Sequence, residues 1–61
     1  MVSKPAIDAV FEAMFILTDI RVMLRETAPG HVLSASQREE TLALLGTLEK
    51  KVEILRRELV P

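Results

Sequence analysis

Residues 6–24, AIDAVFEAMFILTDIRVML, decide how this chain folds. Wound into a helix at about 100° per residue, they place apolar side chains in nearly every direction. Ala9, Val10, Ala13, Ile16, Leu17, Ile20 and Leu24 form one broad stripe. Ile7, Phe11, Met14, Phe15 and Val22 form a second stripe on a different side. Only a narrow acidic seam of Asp8, Glu12, Asp19 and Glu26 remains, with Thr18, Arg21 and Arg25 interrupting the second stripe. One partner helix covers one stripe. The other requires a second copy of the chain or a different protein.

The limits of this helix are written in its flanks. Ser3 or Lys4 caps it, and Pro5 falls in the opening turn, where its missing N–H costs nothing. Asp8 sits toward the positive end of the helix dipole, and Arg25 lies in the last turn, where a cation is favoured. Ala28-Pro29-Gly30 then stops the helix, because proline cannot continue the hydrogen-bond ladder and disfavours α geometry at the residue before it. Helix one is therefore expected over about residues 4–27 and a loop over 28–35. Within the loop, Val32 and Leu33 are expected to tuck over the open end of the core. Two overlapping capping boxes follow, Ser34 with Gln37 and Ser36 with Glu39, and the second is the favoured start of helix two.

Helix two is expected over about residues 36–59. Leu45, Leu48, Val52, Leu55 and Leu59 alternate by three and four, the seam spacing of a coiled coil or bundle. Leu42 and Leu44 widen this stripe, and the remaining surface is charged. Glu53 and Arg57 stand at the favourable i, i+4 spacing. At about 1.5 Å per residue the two helices are about 33–36 Å long. Matched helices on a short loop fold back as an antiparallel hairpin.

Composition narrows the function classes. Sixty-one residues make one small domain, 1–61, and a single core of fewer than about 70 residues seldom holds itself without a staple. The chain has no cysteine and one histidine, which argues against a disulfide or a structural metal and leaves oligomerisation as the staple. A net charge of −1 argues against nucleic acid, whose binders carry a basic excess. The longest charge-free run in helix one, Ala13 to Thr18, is far short of the roughly 20 residues a membrane span needs. Acidic Asp8 and Glu12 interrupt what a secretion signal would keep apolar. A cytoplasmic protein is the resulting expectation.

Few residues offer chemistry. His31 follows Gly30 in the turn with no second histidine or cysteine beside it, so it reads as an exposed loop residue rather than a metal ligand or general base. Bundle iron sites pair Glu-x-x-His toward the interior, a pattern the acidic seam lacks, so that seam reads as a solvated face. Lys50, Lys51, Arg56 and Arg57 could touch phosphates, yet Glu49, Glu53 and Glu58 interleave with them and no aromatic stands among them for base stacking. Mid-helix Gly46 costs about 1 kcal/mol against alanine. With Ala43, Lys50 and Ile54 it shapes a shallow saddle that another helix could enter, tolerated drift being the alternative reading. Phe11 and Phe15, one turn apart, belong to the residue types favoured at interface centres.

The expected architecture is thus all-α: an antiparallel helical hairpin dimerising into a four-helix bundle, or assembling further into a tetramer. Ile7, Phe11, Met14, Phe15 and Val22 are the expected oligomer interface, and Ala43, Gly46, Lys50 and Ile54 a candidate partner surface. In length and hairpin layout, though in no residue motif, the plan is similar to that of Rop, the plasmid RNA-binding regulator. That resemblance implies only an alternative, a nucleic-acid-binding regulator using basic residues on the dimer face. The leading expectation is a small non-enzymatic interaction module of bacterial or phage type, a regulator, adaptor or inhibitor. It would use no cofactor and bind another protein through a helical surface.

Overall fold

The computed structural model describes residues 2–61, which form two helices packed against each other as a hairpin. Helix α1 spans Lys4–Glu26 and α2 spans Ala35–Leu59. Ser3 caps α1: its Oγ accepts from the Ala6 N–H at 3.3 Å and donates to Glu58 Oε1 at 2.8 Å. One hydroxyl thereby closes the start of α1 and ties it to the end of α2. At the other end Thr27 caps α1, its backbone N–H reaching Leu24 and Arg25 carbonyls. Its hydroxyl also donates to the Leu24 carbonyl, at 2.6 Å.

The start of α2 differs from the sequence expectation. Ser34, not Ser36, is the cap, and the box is closed by Gln37. Gln37 N–H donates to Ser34 Oγ at 3.2 Å, and Ser34 N–H donates to Gln37 Oε1 at 2.8 Å. The earlier box satisfies two end groups reciprocally and starts the helix two residues sooner. In the connection, Leu33 is half-buried while Val32 stands open to solvent rather than tucked over the core. His31 takes φ 54°, the left-handed region, and its N–H donates to the Thr27 carbonyl at 2.8 Å.

The helices meet along two rows spaced by three and four. On α1 the row is Ala6, Ala9, Ala13, Ile16, Ile20, Met23 and Thr27, of which Ala6, Ala9, Ile16 and Met23 are buried. On α2 the row is Gln37, Thr41, Leu44, Leu48, Lys51, Leu55 and Glu58, all only half-buried. Three alanines at the start of α1 leave room for the long side chains of the end of α2. Lys51 uses that room: its ammonium pairs with the Glu12 carboxylate and its side chain is 23% exposed. At the loop end Met23 Sδ lies 3.1 Å from Thr41 Oγ1.

The rotation of α2 is the main correction to the sequence reading. Leu48 and Leu55 face the hairpin core as expected, but Leu45, Val52 and Leu59 stand exposed, and Ile54, expected to face outward, is half-buried. On α1, likewise, Val10, Leu17 and Leu24 of the first stripe remain exposed, while Ala6 and Met23 are buried in their place. The physical reason is that each apolar stripe is wider than one neighbouring helix can cover. The hairpin buries one edge of it.

Candidate functional site

The candidate site is surface, and its geometry follows from that rotation. Lys51–Glu12 marks one flank of the hairpin. Along the same flank Asp19, Val22, Met23, Glu26, Gln37 and Glu40 line an open groove of about 320 Å³. This flank is charged and wet. Glu12 leaves the solvated seam for its partner Lys51, and Asp8 pairs with Lys4 at 2.9 Å across one helical turn. The Asp8 carboxylate, through its hydrogen bond first and its charge second, holds the Lys4 ammonium above the usual lysine range.

The opposite flank is aliphatic. Val10, Leu17 and Leu24 recur every seven residues on α1, and Leu45, Val52 and Leu59 recur every seven on α2. All six are exposed. The antiparallel pairing that joins Ser3 to Glu58 and Glu12 to Lys51 sets Val10 level with Val52 and Leu17 level with Leu45. Winding each helix at about 100° per residue puts both triplets on the flank away from Glu12 and Lys51. Below them Leu48 contributes to an open apolar hollow with Leu45 and Val52, rimmed by Glu49, Glu53 and Arg56.

The expected oligomer interface lies elsewhere on α1. Ile7, Phe11, Met14, Phe15 and Val22 are all exposed, Phe15 at 69%, and none belongs to the row facing α2. Phe11 and Phe15 occupy the side of α1 turned away from its partner helix, Val22 stands between that side and the charged groove it helps line, and Ile7 and Met14 stand between that side and the aliphatic flank. On α2, Ala43, Gly46 and Lys50 are exposed and Ile54 half-buried. A Cβ added at Gly46 meets nothing within 4 Å, so the saddle is open. The structure brings the members of each set onto one surface and leaves the two sets apart.

The chemistry-bearing residues do not converge. His31 is exposed in the connection. Among the described residues no three His, Asp or Glu side chains gather as a metal site, and no buried side-chain polar atom lacks a hydrogen-bond partner. Two of the four basic residues near the end of α2 are engaged with acids, Lys51 with Glu12 and Arg56 with Glu53 at 3.7 Å. The latter pairing replaces the expected Glu53–Arg57 one. Among the described residues no helix is long and apolar enough to cross a membrane.

Both phenylalanines and the three-and-four spacing of the α2 seam are legible in the sequence, whereas the separation of Val10, Leu17 and Leu24 from Ile16 and Ile20 within one stripe is not. The signal that separates them is the alanine row Ala6, Ala9, Ala13, which fits a closely packed neighbour and so fixes the rotation of α1. No family model matches the chain, and no curated protein or solved structure matches it either.

Proposed function

We propose that this chain is a non-enzymatic interaction module that self-associates and presents its remaining apolar helix surface to another protein. One observation carries this reading: after the two helices pack, aliphatic and aromatic side chains stay exposed on two separate sides of α1. Monomeric soluble proteins rarely leave contiguous apolar patches of more than a few hundred Å² open, and larger ones mark interaction sites. A single neighbour closes one side. The second side is then available to a different partner, in the helix-in-groove or helix-on-helix manner of small regulators, adaptors and inhibitors. The open Ala43–Gly46 surface, with Lys50 and Ile54 beside it, is a narrower second docking candidate on α2.

The test compares the wild-type chain with Phe15→Arg as baits in the native host's lysate, with the oligomeric mass of both measured separately. A protein held by the wild type and lost by a Phe15→Arg chain of unchanged mass supports the reading. Nuclease-sensitive, salt-labile retention of RNA or DNA in place of protein would replace it with the nucleic-acid alternative.

A further inference from the structure

Resting on the self-association just proposed, we infer that the second copy docks on the aliphatic flank, Val10, Leu17, Leu24, Leu45, Val52 and Leu59, and leaves Phe11, Phe15 and Val22 facing outward. The area, the direction of the apolar stripes and their repeat together argue for a second copy on this flank.

The first is area. A compact monomer of this mass exposes about 4,000 Å². The hairpin exposes 4904 Å². The surplus, roughly 900 Å², matches the approximately 800 Å² that each partner contributes to a standard interface. Shape agrees: the radius of gyration is 14.0 Å, whereas about 10.5 Å is usual for a compact chain of this length.

The second is direction. On α2, the centre of the Leu45–Leu48–Val52–Leu55–Leu59 seam lies about 50° around the helix from the centre of the row that touches α1. On α1, the centre of the first stripe is displaced by about 30° toward the same flank. In a square bundle of four helices, the bundle axis lies about 45° from the direction to either neighbour. Both helices of the hairpin therefore aim their apolar centres at a common line beside the hairpin, where the axis of a four-helix bundle would run. A helix pair complete in itself aims them at each other.

The third is repeat. Val10–Leu17–Leu24 and Leu45–Val52–Leu59 each keep a seven-residue spacing, and two levels coincide across the hairpin, Val10 with Val52 and Leu17 with Leu45. That period keeps a seam continuous along long helices, which suits another hairpin of equal length better than a short peptide or small ligand. At about 1.5 Å per residue each triplet runs about 21 Å along its helix. Its other flank, with Glu12, Asp19, Glu26 and Glu40, offers no such surface. Around the same bundle axis, Phe11, Phe15 and Val22 point away from the second copy, and Ile7 and Met14 fall at its rim.

The chain has no cysteine, which makes the flank directly readable. Leu17→Cys, Val52→Cys and Phe15→Cys each place one small apolar thiol on an exposed helical position with little threat to folding. Each variant, at a concentration where light scattering shows that variant itself to be oligomeric, is treated with a maleimide, and again after dilution until the oligomer dissociates. In the oligomer, Leu17→Cys and Val52→Cys should react at least about tenfold more slowly than Phe15→Cys, and dilution should abolish the difference. An oligomer in which they react as fast as Phe15→Cys overturns the assignment of the flank. Protection at all three positions overturns the outward placement of the phenylalanines. A wild-type chain that sediments as a monomer instead removes the self-association on which the inference rests, and light scattering on the unmodified protein separates that failure from the other two.

Discussion

Leu17 and Phe15 sit two residues apart on one helix, and truncating them should have unlike consequences. In the single hairpin Leu17 is 52% exposed, so a second copy closing over it removes the other half of its surface from water. Full burial of a leucine side chain is worth about 1.5–3 kcal/mol, which assigns roughly 1 kcal/mol of the Leu17 contribution to association. A symmetric dimer contains the residue twice. Leu17→Ala should therefore weaken association by about 2 kcal/mol, close to a 30-fold rise in Kd. Any cavity left at the seam adds to that figure. Alanine is at least as strong a helix former as leucine, so the hairpin itself keeps its helicity. Phe15→Ala removes a larger side chain, yet from a surface the second copy does not reach, and should leave Kd within about threefold. Sedimentation equilibrium over a dilution series measures both constants, with circular dichroism confirming the fold. An unchanged Kd for Leu17→Ala, or a larger effect of Phe15→Ala, would refute the reasoning.

Three other substitutions probe the hairpin. Ile16, 8% exposed against α2, should lose about 2–5 kcal/mol on replacement by alanine, seen as a lowered denaturant midpoint. Gly46→Ala should raise stability by roughly 0.4–1 kcal/mol in thermal melts, because the added methyl meets open space. A destabilised variant would mean that something covers α2 there. Ser34→Ala should cost about 1 kcal/mol, whereas Ser36→Ala should cost under about 0.5 kcal/mol, since only Ser34 accepts the Gln37 N–H. Equal costs would contradict the observed start of α2.

The hairpin was legible in the sequence because its stops and starts are local chemistry. Pro5, the Ala28-Pro29-Gly30 break and the serine caps act within a few residues, and α1 and α2 fall within a residue of the limits they predict. Rotation was not legible in the same way. The leucine spacing of α2 reports where its apolar surface is centred, which is not the direction of α1. The structure separates the two directions: Gln37, Thr41, Lys51 and Glu58 share the contact row, while Leu45, Val52 and Leu59 do not. Polar side chains are tolerated there because they find partners across the hairpin, Ser3 for Glu58 and Glu12 for Lys51. Such pairings depend on which residues lie level with each other. Periodicity within one helix carries no record of that. The choice between the two serine caps failed for a smaller reason, since both boxes fit the same pattern two residues apart.

The oligomeric mass of the wild-type chain tests the central claim most directly. Multi-angle light scattering at tens of micromolar should return twice the 6.8 kDa chain mass, shifting toward the single chain as the sample is diluted. A folded, fully helical species that remains at 6.8 kDa across that range would contradict the account, because the aliphatic flank would then lie open to water with nothing to cover it.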